Sequence, residues 1–238
     1  MARPRQFDEV KTLAAVRDEF ASKGFEATSL DDLMRVTGLG KGSIYAAFGD
    51  KHRLFLSALR LYSGATLKGT SAALSSDVPA IEKLRMLFRA AATGTGSAKP
   101  YRGCFLANST TELAAHNCDV RNLARETYRT VEELLVEVTE QAQQDGDLDR
   151  TVEPSEFGRL LLAVMQGMEF LRKSGMSIRE LNGIGHAAEQ LLLEGRSVSP
   201  AARPSAARRA DSPSTKPKRK KQAQKPVSTA KSVRTQER

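Results

Sequence analysis

The sequence predicts an all-α protein of about nine helices, with an N-terminal three-helix helix-turn-helix domain, a C-terminal helical domain and a disordered basic tail. Aromatic residues form only 5% of the chain and Trp is absent, whereas Ala and Leu are abundant. Apolar residues recur at spacings of three and four, and no segment alternates as a strand does. From about residue 195 large apolar residues almost disappear, so that segment lacks the surface needed to form a core.

An apolar stripe predicts the first helix over roughly residues 6–23, and its members are Val10, Leu13, Val16 and Phe20. Gly24 is the expected C-terminal cap of this helix. Ser29 and Asp32 have the spacing of a capping box, so a second helix begins there. This helix is expected to end at Gly38, which supplies the positive φ of a turn.

A third short helix covers about residues 40–47, and Asp50 caps a fourth. Two short helices joined by a turn that contains Gly are typical of a helix-turn-helix. The side chains expected to close its small core are Leu30, Leu33, Leu39, Ile44 and Phe48. The residues expected on its open face are Thr28, Ser29, Lys41, Gly42, Ser43 and Tyr45. Lys and hydroxyl groups suit phosphate oxygens and base edges, so this face is a candidate DNA-binding surface.

Residues 37–51 have two alternatives to a helix-turn-helix, a nucleotide-binding loop and an ordinary pair of core helices. A phosphate-binding loop has the pattern Gly-x-x-x-x-Gly-Lys-Ser/Thr after a strand. Residues 38–43 read GLGKGS and no strand is predicted before them, which argues against a nucleotide site. The plainer alternative is a pair of core helices in which Lys41 is a solvated charge, and the spacing alone leaves that alternative open.

Further apolar stripes predict the C-terminal helices, at about residues 81–91, 103–115, 120–142, 154–173 and 177–193. Pro154 stands at the N-terminal position that Pro prefers in a helix. No apolar run approaches the ~20 residues that span a membrane, and residues 1–10 lack the apolar core of a signal peptide. We therefore expect a cytoplasmic protein with no membrane partner.

The net charge of +9 is concentrated in residues 196–238, which carry +11, whereas the rest of the chain is slightly acidic. This tail is either a solubilising segment or a polybasic arm that binds DNA non-specifically. No catalytic site, cofactor or metal site is predicted, because no nucleophile motif is present and His116 with Cys118 supplies too few metal ligands.

Residues 24–62 read GFEATSLDDLMRVTGLGKGSIYAAFGDKHRLFLSALRLY. This stretch resembles the DNA-binding domain of the TetR/AcrR family of bacterial repressors. The matching motifs are the Gly-aromatic pair, Thr-Ser, Thr-Gly-Leu, Lys-Gly-Ser-Ile-Tyr, Phe and Asp-Lys. The resemblance implies a helix-turn-helix domain at 1–62, a ligand-binding and dimerisation domain at 63–195, and the tail at 196–238.

The family's DNA contacts imply roles for individual residues. Thr28, Ser29 and Lys51 are expected to contact backbone phosphate. The expected surface of the recognition helix consists of Lys41, Gly42, Ser43 and Tyr45. Ala46 and Ala47 depart from the family's common pattern of larger residues, so base reading is expected to depend on few side chains.

The family's mechanism implies a homodimer that binds a palindromic operator in double-stranded DNA and is released by a small-molecule inducer. The chain is thus expected to be a repressor, associated with the bacterial nucleoid through DNA, and not an enzyme. The alternative is an architectural, nucleoid-associated protein that uses the basic tail.

The expected dimer contacts are Leu161, Met165, Met168, Leu181, Ile184, Ala188 and Leu191. The expected ligand contacts are Phe88, Cys104, Phe105, Asn108, Glu112, Tyr128, Met165 and Phe170. Some of the dimer set and all of the ligand set could equally belong to the monomer core.

The Gly103-Cys104 pair resembles a subgroup of the family that includes sensors of electrophiles and oxidants. Cys104 is expected near a helix N-terminus, with Arg102 two residues before it, and both features favour a thiolate. The alternative is that Cys104 is a small buried apolar residue, as free Cys usually is.

Overall fold

The computed structural model describes residues 7–93 and 103–192, and every regular element in these ranges is a helix. Nine helices occur there: α1 (Glu9–Lys23), α2 (Leu30–Thr37), α3 (Lys41–Phe48), α4 (Lys51–Leu74), α5 (Ala80–Thr93), α6 (Phe105–Leu113), α7 (Cys118–Gln144), α8 (Pro154–Lys173) and α9 (Ile178–Leu192). The all-α prediction is therefore confirmed. The predicted tail, residues 196–238, lies outside the described residues.

A first hydrophobic core is formed by side chains of α1, α2, α3 and α4, and it also contains side chains of α6 and of the start of α7. Val16 and Leu33 are completely buried in it. Phe105 of α6 packs edge-on against Phe55 of α4, with ring centroids 5.7 Å apart. Val120 of α7 is buried in the same cluster. The helix-turn-helix region thus completes its core with residues of α6 and α7.

A second core lies among α5, α7, α8 and α9. Helix α4 contributes to both cores, because Leu54 near its start is buried in the first and Leu74 at its end is buried in the second. The expected domain boundary at residue 62 falls inside this continuous helix.

Most of the predicted dimer contacts lie inside the chain. The buried ones are Leu161, Met168, Leu181 and Ala188, all members of the second core. Their prediction as interface residues is wrong, because the chain's own helices enclose their side chains. Met165 and Ile184 are partly buried against the same core, whereas Leu191 is 77% exposed.

None of the helices in the described ranges has the length and apolar character required to cross a membrane.

Candidate DNA-binding surface and effector cavity

The turn between α2 and α3 is built around Gly38. Its backbone has φ 67° and ψ 9°, the left-handed conformation predicted for this position. The Thr37 hydroxyl donates to the Leu33 carbonyl at 2.6 Å and accepts a hydrogen bond from the Leu39 amide at 3.3 Å. These bonds fix the end of α2 and the direction in which the chain enters α3.

Helix α3 turns opposite faces to the core and to solvent. Ile44 and Phe48 are only 1% and 8% exposed, and they hold the helix against the first core. The residues of α3 predicted for the open face are all exposed, namely Lys41, Gly42, Ser43 and Tyr45, and Ala46 is exposed beside them. Lys41 Nζ lies 5.7 Å from the centroid of the Tyr45 ring, so these two side chains are neighbours on the solvent face.

The start of α2 has the predicted capping box. Ser29 Oγ accepts a hydrogen bond from the Asp32 amide at 3.1 Å, and Asp32 Oδ2 accepts one from the Ser29 amide at 3.0 Å. A hydrogen bond from Lys23, followed by those from Ser29, holds the pKa of Asp32 well below its usual range. Asp32 is therefore ionised at neutral pH, and Ser29 remains on the exposed surface at the N-terminus of the helix.

Thr28 does not lie on the open face, and that part of the prediction is wrong. Its side chain is 1% exposed, and its hydroxyl donates to the Gly24 carbonyl at 2.6 Å. A Thr hydroxyl commonly bonds a backbone carbonyl a few residues earlier in this way. Thr28 thus holds the α1–α2 turn together from the inside.

Lys51 at the start of α4 contacts the α1–α2 turn. Its Nζ lies 4.5 Å from the centroid of the Phe25 ring and donates to the Glu26 carbonyl at 3.5 Å. The first contact has the geometry of a cation–π interaction. The phosphate contact expected of Lys51 stays a prediction.

Glu112 of α6 also reaches this turn. Its Oε2 accepts a hydrogen bond from the Phe25 amide and its Oε1 accepts one from the Glu26 amide, each at 3.0 Å. Gly24 permits this approach, because a Cβ at that position would lie 3.0 Å from both carboxylate oxygens. The carboxylate therefore joins α6 to the segment that leads into α2.

A cavity of about 590 Å³ lies between the end of α1, α6 and α8. The predicted ligand contacts that line it are Cys104, Phe105, Asn108, Glu112 and Phe170. Phe88 and Met165 belong to the second core or pack against it, and Tyr128 packs against the first, so these three do not line the cavity. The expected position among helices five to eight is thus only partly right, because the end of α1 forms one side of the cavity.

Three polar residues of α8 that were not predicted from the sequence also line the cavity: Gln166, Glu169 and Lys173. Their spacing of three and four, which places them on one face of α8, was the available signal. Lys173 Nζ donates to Asn108 Oδ1 at 2.7 Å, and Glu169 pairs with Arg172. Burial raises the pKa of Glu169, although the Arg172 charge acts in the opposite direction. Gln166 Oε1 is buried and has no hydrogen-bond partner within the described ranges.

Cys104 directly precedes α6 and is half-buried at the edge of the cavity. Its side chain makes no capping hydrogen bond to the helix, and Arg102 lies outside the described residues. Burial first, and the neighbouring Cys104 second, raise the pKa of Tyr62 and of Tyr128 well above the usual value. The thiol therefore lies beside two phenols that are protonated at neutral pH.

Two family models match the chain. Residues 13–58 match the model of bacterial regulatory proteins of the tetR family, and residues 80–175 match the model of the tetracyclin repressor-like C-terminal domain. The first match contains the helix-turn-helix, and the second contains the whole of α5, α6, α7 and α8.

Similar proteins include repressors and an operator complex. The HTH-type transcriptional repressor ComR of Escherichia coli K12 is 29% identical over 180 residues, which cover 75% of this chain and 86% of ComR. The HTH-type transcriptional repressor BdcR of the same organism is 27% identical over 179 residues, with 75% and 86% covered. The structure of a cysteine mutant of the TetR family regulator CifR with a 26-base-pair operator DNA matches with a TM-score of 0.67 and 27% identity, over 78% of this chain and 97% of CifR. Together with the helix-turn-helix geometry, these matches show that the chain belongs to the TetR family of bacterial DNA-binding transcriptional repressors.

Proposed function

We propose that the chain binds a palindromic operator as a homodimer and is released from it when a small molecule enters the cavity beside α6. The exposed polar face of α3 carries the proposal. Ile44 and Phe48 hold the helix in place, while Lys41, Ser43 and Tyr45 remain open to solvent. The operator-bound structure of the similar protein CifR supports this interpretation.

The proposed DNA contacts place α3 in the major groove. Lys41, Ser43 and Tyr45 then meet base edges, and Gly42 allows the backbone to approach closely because the space beside its Cα is empty. Ser29 and Lys51 supply the phosphate contacts that set the register.

The proposed homodimer uses the exposed faces of α8 and α9 instead of the buried residues first predicted. These faces contain Leu160, Ala163, Gly167 and Phe170 of α8, and Gly183, Ala187 and Leu191 of α9. Phe170 is 71% exposed and Leu191 is 77% exposed, so pairing with a second copy would remove a large apolar area from water. Gly167 and Gly183 permit the helices to pack closely in a four-helix bundle.

The proposed inducer site is the cavity. Its volume of about 590 Å³ lies within the range of small-molecule sites, and aromatic rings of Phe20, Phe55, Phe105 and Phe170 line it beside polar groups. An electrophile that reacts with Cys104 is the covalent version of this proposal, because the thiol lies at the cavity.

Selection of binding sites from random DNA duplexes tests the proposal. We expect a palindrome whose half-sites are about 34–36 Å apart, bound by two chains per duplex in sedimentation experiments. Leu191→Glu introduces a charge into the proposed interface and should yield a monomer that no longer binds the palindrome. Met86→Glu, at a residue of α5 that is 42% exposed, is the matched control and should remain a dimer. Recovery of no common sequence would contradict the proposal and would favour the architectural alternative.

A further inference from the structure

Glu112 belongs to two sites at once. It lines the cavity, and its carboxylate accepts hydrogen bonds from the backbone amides of Phe25 and Glu26. These two residues precede Glu112 by 87 and 86 positions in the chain. A hydrogen bond to an ionised carboxylate is stronger than one between neutral groups. One side chain therefore connects the proposed inducer site directly to the helix-turn-helix region.

The turn that Glu112 holds determines where α2 begins. The chain passes from Phe25 and Glu26 to Ser29, the N-cap of α2, in three residues. The Phe25 ring packs against Phe55 of α4 at a centroid distance of 5.0 Å and against Lys51 Nζ at 4.5 Å, so the turn lies between α6 and the start of α4.

Helix α2 is connected to α3, which presents the proposed DNA-binding face, by a short turn. Only residues 38–40 separate α2 from α3, and Gly38 holds them in a single turn that is bonded back to the Met34 carbonyl at 2.9 Å. Leu33 of α2 and Ile44 of α3 are both buried in the first core. The two helices are therefore joined both by a short turn and by shared packing in the first core.

We propose that Glu112 is a positioning residue for DNA binding, whose two bonds to the α1–α2 turn hold α2 and α3 in the orientation that the operator requires. This inference rests on the proposed repressor function. It places the point of control on the surface of the cavity, where a bound molecule meets the carboxylate.

Glu112→Gln tests the inference, because Gln retains one acceptor oxygen but opposes the second amide with an NH₂ group. We expect the Kd for the selected operator to rise within the range of about 5- to 150-fold that is typical of coupling between sites. In the free protein, hydrogen exchange at the Phe25 and Glu26 amides should become at least about tenfold faster. Glu126→Gln, at an exposed residue of α7, is the matched control and should change neither quantity.

Two further variants keep the test decisive if the Gln variant folds poorly. Glu112→Asp keeps the charge but is one methylene shorter, so its operator affinity and amide exchange should be intermediate. Gly24→Ala keeps Glu112 but places a Cβ against both oxygens and strains a backbone with φ 84°, so it should weaken operator binding in the same direction although the carboxylate is intact.

The inference would be overturned by wild-type operator affinity together with wild-type exchange at both amides in Glu112→Gln. A lower melting temperature with unchanged operator affinity would also overturn it, since that result indicates a purely structural role. If the wild-type chain selects no operator at all, the proposed function fails, and the positioning role that rests on it fails too. Amide exchange in the free protein still shows whether Glu112 holds the turn, so the two failures are distinguishable.

Discussion

The exposed face of α3 and the surface of the cavity use their polar side chains in different ways. On α3, Lys41, Ser43 and Tyr45 extend into solvent from a helix whose opposite face is buried. In the cavity, Lys173 and Glu112 already hydrogen bond to other parts of the protein. In the proposed function, the face of α3 accepts DNA without breaking hydrogen bonds inside the protein, whereas a polar ligand that binds Lys173 or Glu112 has to replace such bonds.

This difference supports the proposed function, in which the same chain binds DNA and responds to a small molecule. The buried face of α3 already fixes the helix backbone, which lowers the ordering cost of binding DNA. A site whose polar groups are already engaged changes the structure when a ligand enters, and a ligand shifts a conformational equilibrium only through such differential interactions.

Ile44→Ala is expected to produce the largest effect, because it removes the buried side chain that holds α3. The free energy of unfolding should fall by about 2–5 kcal/mol, the usual range for truncation of a fully buried aliphatic residue. Urea denaturation measures this change. A loss below about 1 kcal/mol would show that α3 is not held by its inner face, and the contrast between its two faces would then fail.

Tyr45→Ala tests the outer face of the same helix, one residue further along. We expect unchanged dimerisation and little change in the free energy of unfolding, but a loss of about 1–3 kcal/mol in operator binding, towards the affinity for random duplex. Footprinting and titration of the selected operator measure the loss. Met86→Ala on α5 is the control for an exposed side chain, and a retained footprint in Tyr45→Ala would place the DNA-reading residues elsewhere.

Cys104→Ser examines the covalent version of the cavity site. After treatment with N-ethylmaleimide, the wild-type protein should lose operator affinity by about 1–3 kcal/mol, the usual size of coupling between sites. Cys104→Ser should not respond, whereas Cys118→Ser, which removes the exposed thiol, should respond as the wild type does. Mass spectrometry identifies the modified residue, and a full response in Cys104→Ser would contradict electrophile sensing.

Deletion of residues 197–238 is expected to have the smallest effect on specific binding. The protected operator should stay the same, because the deleted segment is not part of α3. The dependence of non-specific affinity on salt should become less steep, by about 0.9 in the logarithmic slope for each phosphate contact that is lost. Binding to random duplex over a range of salt concentrations measures this, and a footprint that moves on deletion would show that the tail takes part in operator recognition.

The helix-turn-helix could be predicted closely because its determinants are local. The capping box of Ser29 and Asp32, the left-handed Gly38 and the inward spacing of Leu33 and Ile44 all depend on neighbours within a few residues. Thr28 was the exception, since its hydroxyl bonds a backbone carbonyl inside the turn and its sequence position gives no sign of that choice.

The C-terminal contacts were harder to predict because they depend on packing between distant segments. Leu160 and Leu161 are adjacent and equally apolar, yet the first is 45% exposed and the second is buried. Hydrophobicity shows that both avoid water, but not whether the same chain or another one covers them. The bonds of Glu112 to Phe25 and Glu26 join residues more than eighty positions apart, which periodicity does not detect.

The inclusion of α6 in the first core limits how this regulator can be engineered. A hybrid that joined residues 1–62 to the effector domain of another protein would lose Phe105, Leu106 and Val120 from the core that supports its DNA-binding helices. The transplanted segment would expose apolar surface unless the new partner supplied rings and aliphatic groups of matching shape. Transfer of operator specificity should therefore succeed more readily by substitution of the few outward residues of α3 than by exchange of whole domains.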